Sequence, residues 1–165
     1  MRIIVMSDSH SGYTHLHGIV KDNLDADLFL HLGDGEEEFD RVTALYPDKR
    51  FVGVKGNNDW HSSKPATVFL DCEGVRVMLT HGDMFSVKWG LERLIKEGVR
   101  QDARVVLYGH THVARCDYLD GRYFINPGSV IDGRMTKPGY LVLDITPAGI
   151  VPVFRHTRTL ASPGK

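Results

Sequence analysis

Arg2-Ile3-Ile4-Val5-Met6-Ser7-Asp8-Ser9-His10 sets an apolar run directly against a cluster of polar side chains. The run is too short to span a membrane or to form a signal-peptide core. It reads as a strand over residues 2–7. After Gly12, the residues Leu16, Ile19, Val20 and Leu24 recur at helical spacing, with Thr14 as the expected N-cap. Residues 27–32 read as the next strand. Residues 36–46 read as a helix burying Phe39, Val42 and Leu45, with Glu36, Glu37 and Glu38 in the first turn, where the helix dipole favours them. Residues 50–54 give a third strand. A βαβαβ order of this kind demands parallel pairing with right-handed crossovers.

Further along, residues 66–71 and 75–80 flank Cys72-Glu73-Gly74 as a hairpin. Residues 86–98 read as one amphipathic helix with Val87, Leu91, Leu94 and Ile95 on one face. Strands are expected at 104–108, 114–119, 122–126, 139–145 and 149–155, with turns at Asp120-Gly121 and Pro147-Ala148-Gly149. The class is α/β, parallel in its first half and antiparallel in its second, with the number of sheets open. Residues 1–157 read as one domain and 158–165 as a tail, frayed from Ala161 to Lys165.

The 165 residues carry 42% hydrophobic content, enough for one domain with a core. Twenty basic residues against twenty-one acidic ones give a net charge of −1, so a long polyanion is not the expected partner. Two distant cysteines in no CxxC spacing suit reduced thiols and a cytoplasmic location.

The chemistry sits after the strands. Strand ends deliver Ser7-Asp8-Ser9-His10, Gly33-Asp34-Gly35, Gly56-Asn57-Asn58-Asp59, His81-Gly82-Asp83 and Gly109-His110-Thr111-His112. Sites in open α/β sheets lie outside the carboxyl ends of strands, and glycine beside four of these five sets lets the backbone come close. Aspartate oxygens with neutral imidazoles suit Mn²⁺, Fe²⁺, Co²⁺, Ni²⁺ or Zn²⁺, and the lack of cysteine argues against a thiolate zinc site. If the chain stays extended, alternation puts Asp8 with His10, and His110 with His112, on one side. Seven candidates (Asp8, His10, Asp34, Asn57, His81, His110 and His112) exceed one tetrahedral site and fit two ions sharing a carboxylate.

Asp8-x-His10, Gly33-Asp34, Gly56-Asn57-x-Asp59, His81 and Gly109-His110-x-His112 resemble the signature of the calcineurin-like metallophosphoesterase superfamily. The short length and Asn126-Pro127-Gly128-Ser129 resemble its small prokaryotic YfcE-type phosphodiesterase branch. The resemblance covers residues 1 to about 155 and implies an αββα sandwich of two mixed sheets flanked by helices. It implies one ion on Asp8, His10 and His112, a second on Asn57, His81 and His110, and Asp34 between them. Mn²⁺ is the expected metal, with Ni²⁺, Fe²⁺ and Zn²⁺ as alternatives. Many members carry His where Asn58 stands. An amide cannot supply a proton near neutral pH, and Asp59 then has no imidazole to orient. YfcE-type proteins themselves often lack this His.

The expected reaction is hydrolysis of a small phosphodiester by a hydroxide bridging two ions about 3.5–4 Å apart. Asp34, Asn57 and His10 are its expected catalytic residues, with His10 also handling protons. The alternatives are a protein-contact scaffold, as in a retromer subunit of similar fold, a nuclease, and a phosphomonoesterase. No membrane contact is expected, and the oligomeric state stays open, a homo-oligomer included. His15, His17 and His61 are expected at the surface, and His156 has no partner motif. His31 is expected to be buried, and Trp60 and Trp89 to pack in the core, with the lining of a substrate cleft as their alternative. Arg134 and Lys137 are weaker candidates for facing substrate, and Asn126-Pro127-Gly128-Ser129 for a structural turn beside the metals.

Overall fold

The computed structural model describes residues 1–157; the expected tail at 158–165 lies outside the described residues. Ten strands form two five-stranded sheets. The first contains β1 (Arg2–Met6), β2 (Leu28–His31), β3 (Phe51–Gly53), β9 (Gly139–Thr146) and β10 (Gly149–His156), in the order β10-β9-β1-β2-β3. The second contains β4 (Thr67–Cys72), β5 (Val75–Thr80), β6 (Val105–Leu107), β7 (Arg115–Leu119) and β8 (Arg122–Asn126), in the order β4-β5-β6-β8-β7.

The period-two geometry of strands explains the layering. In β1, Ile3 and Val5 face the second sheet and join Leu28, Leu30, Val77, Leu79, Val105 and Leu107 in a core between the sheets. Ile4 and Met6 point the other way, with Phe29, against Leu16, Ile19 and Val20 of α1 (Tyr13–Asp22) and Phe39 and Val42 of α2 (Glu36–Leu45). On the far side, Met78, Val106 and Phe124 pack under Leu94 of α3 (Glu92–Arg100). The result is the αββα sandwich, in which the central strands are apolar on both faces because both are covered.

Several expectations are corrected. The second half is mixed rather than antiparallel, since β5, β6 and β8 pair in parallel. Thr14 lies inside α1, and Gly12 occupies the cap position without a side-chain cap bond. Leu24 and Leu45 fall at or beyond helix ends and are exposed. The helix expected at 86–98 begins only at Glu92. Ser86 at φ 58° and Gly90 at φ 157° break it, and a short 3₁₀ turn at Asp83–Phe85 precedes the break. Val87 and Leu94 are nonetheless buried, with Leu91 and Ile95 packed beside them. Trp60 and Trp89 are not in the core: they are 83% and 92% exposed. No helix among the described residues is long and apolar enough to cross a membrane.

Candidate metal centre

Strands β1, β2 and β3 run parallel, as do β5 and β6, so their carboxyl ends meet along one edge of the sandwich. Backbone bonds tie the loops beyond them. Asp8 N–H donates to Gly33 O (3.0 Å), His10 N–H to Asp34 O (3.1 Å) and Gly109 N–H to His81 O (2.9 Å). Glycine is needed where these loops touch: a Cβ on Gly56 would collide with Asp34 Oδ1, and one on Gly109 with Ser7 Oγ.

The structure brings all seven candidates to this edge. Asp8, His10 and His112 form one group, and Asp34, His81 and His110 another, each with ligand atoms within 4.8 Å of one another. Asn57 Oδ1 lies 3.1 Å from His81 Nε2. The groups adjoin: Asp34 Oδ2 is 3.4 Å from His81 Nε2 and 3.9 Å from His10 Nε2, while Asp8 Oδ1 is 4.0 Å from His81 Nε2. The pairs do not converge by extended alternation. Asp8, His10, Asp34, His110 and His112 all sit at positive φ, from 37° to 69°. Such conformations each cost on the order of 1–3 kcal/mol and persist where surrounding structure over-determines them.

The donors and acceptors do not balance without a cation. His81 Nδ1–H donates to Leu32 O (2.8 Å) and His112 Nδ1–H to Asp132 O (3.1 Å). In the neutral rings this turns a bare Nε2 lone pair inward. The His112 lone pair meets Asp8 Oδ1 at 3.2 Å and His10 Nε2 at 3.1 Å. Asp8 Oδ1 is buried and accepts no hydrogen bond. The His81 lone pair meets Asn57 Oδ1, His110 Nδ1 and Asp34 Oδ2. Acceptors converging at these distances call for added protons or metal ions. Titration reflects the same field. Burial opposes a proton on His81, but Asp34 and Asp8 outweigh it and raise its pKa. The contact with Asp8 raises that of His112. Burial, with the charges of His81 and Lys88, pulls His110 down to about 4. Asp34 and Asp8 are held below the usual carboxylate range, as the nearby imidazoles outweigh burial.

The supporting residues were largely outside the sequence reading. Asn58 is one: its N–H and Nδ2–H donate to Asp34 Oδ1 (2.8 Å) and Oδ2 (2.6 Å), so it positions that carboxylate. Asp59 orients backbone, not imidazole. It accepts the N–H groups of Asp34, Gly35, Glu36 and Gly56, which outweigh burial and lower its pKa. Asn126 Nδ2–H donates to Gly109 O (2.7 Å) and Ser129 Oγ–H to Asp8 O (2.8 Å). Asn126-Pro127-Gly128-Ser129 is thus a turn that pins two candidate-bearing loops. Glu38, read as a mere helix start, is buried and accepts from Ser9 Oγ (2.8 Å) and Ser11 N–H (2.7 Å). His61 is exposed, Arg134 is exposed with its charge felt at His112, and Lys137 is exposed. His17 is half-buried against the Tyr46 hydroxyl rather than free in solvent.

His31 is buried, as expected. Gly33 N–H donates to its Nδ1 (3.2 Å), and its Nε2–H donates to Ser9 Oγ (3.0 Å). One neutral ring therefore joins the Asp8 and Asp34 loops, and burial lowers its pKa to about 4. Unfolded, the ring titrates near 6.5. Protons then bind the unfolded chain better, so this stability is present above pH 6.5 and lost as pH falls towards 4. From pH 6.5 to 4.5, metal-stripped wild type should lose about 2 kcal/mol more than His31→Phe, which keeps a ring where His31 stacks on Phe39. Urea unfolding of both at pH 4.5, 5.5 and 6.5 checks this; parallel pH profiles would refute it.

Comparison with known proteins accords with this geometry. The family model for the calcineurin-like phosphoesterase superfamily domain matches residues 1–147. The chain belongs to this superfamily. A probable metallophosphoesterase of Bacillus subtilis, YsnB, is 33% identical over 147 residues, covering 88% of this chain and 85% of that one. A phosphodiesterase of Methanocaldococcus jannaschii, MJ0936, is 26% identical over 87% of this chain and 93% of its own. The crystal structure of Vps29 from Entamoeba histolytica, complexed with zinc, superposes with a TM-score of 0.71 at 20% identity, covering 94% of this chain and 98% of that one. This last likeness concerns the fold. The chain is therefore a metallophosphoesterase-family hydrolase with candidate metal-binding residues.

Proposed function

We propose that this member of the superfamily is a dinuclear metal-dependent phosphodiesterase that hydrolyses small phosphodiesters. The observation that carries the reading is the pair of adjoining acceptor clusters, with the orphaned Asp8 Oδ1 in one and the inward His81 lone pair in the other. Asp8, His10 and His112 would hold one ion, and Asn57, His81 and His110 the other, with Asp34 between them. Two divalent ions there would supply Lewis-acid charge for the phosphoryl oxygens and an activated water at neutral pH. Mn²⁺ is our first choice, because carboxylate and imidazole donors suit it, with Ni²⁺, Fe²⁺ and Zn²⁺ next.

The chain's own groups complete the site. Asn57 offers Oδ1 to the centre, and its Nδ2–H can donate to an equatorial phosphoryl oxygen as charge gathers there. His10 is the more exposed imidazole of its group, with 31% of its side chain open, and would meet substrate and move protons. Asn58 is occupied with Asp34 and supplies no proton to a leaving group. A cavity of about 290 Å³ beside His10 and Asp34 is lined by Glu36, Glu37 and Asp59. Carboxylates there repel a monoester dianion more than a singly charged diester, which supports diester preference. The free thiols Cys72 and Cys116 suit the cytoplasm.

Chelator-stripped protein should regain hydrolysis of bis-p-nitrophenyl phosphate over p-nitrophenyl phosphate when Mn²⁺ is returned, in a series with Ni²⁺, Zn²⁺ and Mg²⁺ each added singly. A preference for the monoester would make it a phosphomonoesterase. No turnover with any metal, from folded protein, would leave the scaffold reading.

A further inference from the structure

The break that ends the expected helix has a consequence for substrate choice. Between Ser86 and Gly90, both at positive φ, the chain buries Val87 and turns Lys88 and Trp89 outward, so that Trp89 stands 92% exposed. Trp89 borders a cavity of about 550 Å³, within the range of small-ligand sites. Val87, Leu91, Tyr108 and Val113 give it an apolar lining, and Lys88 stands on its rim. Arg115, also on the wall, is held by both oxygens of Asp117, whereas Lys88 is exposed with no ion pair among the described residues. The cavity abuts the loop that carries His110 and His112. Thr111, between His110 and His112, is part of its wall. The cavity beside His10 is the more acidic of the two, with Asp34, Glu36, Glu37, Glu38 and Asp59 in its wall against Glu92 in this one.

Building on the phosphodiesterase reading, we propose that the Trp89 cavity is the subsite for one alcohol group of the diester and selects a planar aromatic, nucleoside-class group. The ring stacks on Trp89 over the apolar wall, and Lys88 faces the phosphate that joins it to the centre. A flexible acyl chain would leave the indole face unused. Each stacked base adds affinity equivalent to roughly 5- to 150-fold in such settings.

The test is binding, so that it stands apart from turnover. In Zn²⁺-loaded protein, calorimetry should show thymidine 5′-monophosphate binding about tenfold tighter than methyl phosphate. Trp89→Ala should abolish that advantage and leave methyl phosphate unchanged; the side chain is exposed, so the fold is kept. Separately, a Trp60→Phe background leaves Trp89 as the sole indole, and its fluorescence should change saturably with thymidine 5′-monophosphate. Equal affinities in the wild type, an advantage that survives Trp89→Ala, or an unresponsive Trp89 would each overturn the subsite. Binding and quenching as expected, with no hydrolysis of any diester, would uphold the subsite and defeat the catalytic reading instead.

Discussion

Asp34→Asn should lose turnover by roughly 10³-fold or more, beyond the 10–100-fold typical of residues that only support a ligand. Asp34 lies between the two clusters, where the proposed shared carboxylate would stand. Its Oδ2 lies 3.4 Å from His81 Nε2 in one cluster and 3.9 Å from His10 Nε2 in the other. Asparagine keeps the shape and one oxygen, but loses the charge and turns an NH₂ group towards an imidazole lone pair or towards the Asn58 donors. Both ions should therefore be weakened, with metal content falling by about one ion per chain or more. The fold should survive, because removing a charge that is 3% exposed relieves a desolvation cost as it removes an attraction. Elemental analysis, steady-state kinetics on bis-p-nitrophenyl phosphate and circular dichroism test the three parts. A folded variant with full metal content and full rate would eliminate Asp34 as the shared ligand.

What the sequence disclosed and what it withheld divide along a physical line. Local signals sufficed for β1, α1, β2 and α2, where Ile4, Leu16, Phe29 and Phe39 recur at strand and helix periods and end up in one layer. Motif spacing sufficed to name Gly109-His110-Thr111-His112 and the other strand ends. The parallel pairing of β6 with β8 was not legible, because β7 and its turns intervene and pairing is a tertiary choice. The helix expected at 86–98 failed because its apolar positions are real core contacts reached by a kinked chain: Leu91 and Leu94 pack, yet Gly90 leaves helical space between them and Val87. The core expectation for Trp89 fails because an apolar ring carries no information about a backbone that turns outward. The work of Asp59 was hidden for another reason. Its partners are backbone N–H groups, and those leave no side-chain pattern to read.

The left-handed backbone at Asp8, His10, Asp34, His110 and His112 and the facing lone pairs have a common consequence for stability. In such a site the folded chain holds strain and repulsion that bound cations offset, so metal should stabilise strongly as well as activate. At free metal a thousandfold above its dissociation constant, binding to the native state alone is worth about 4 kcal/mol. For a domain of this size that corresponds to a Tm rise of roughly 8–16 °C. That figure is for one ion, so removing both with chelator should lower Tm by at least that amount, and Mn²⁺ or Zn²⁺ should restore it better than Mg²⁺, which suits imidazole poorly. The effect should also depend on pH, because His81 and His112, with their raised pKa values, must shed their protons before a metal can bind. Stabilisation by metal should therefore shrink as pH falls through the range where these rings protonate. Asp34→Asn should shrink it at every pH. Scanning calorimetry of stripped and reloaded protein decides the matter. Equal Tm values with and without metal would mean that the clustered acceptors are accommodated by protons alone, and the two-ion centre would have to be given up.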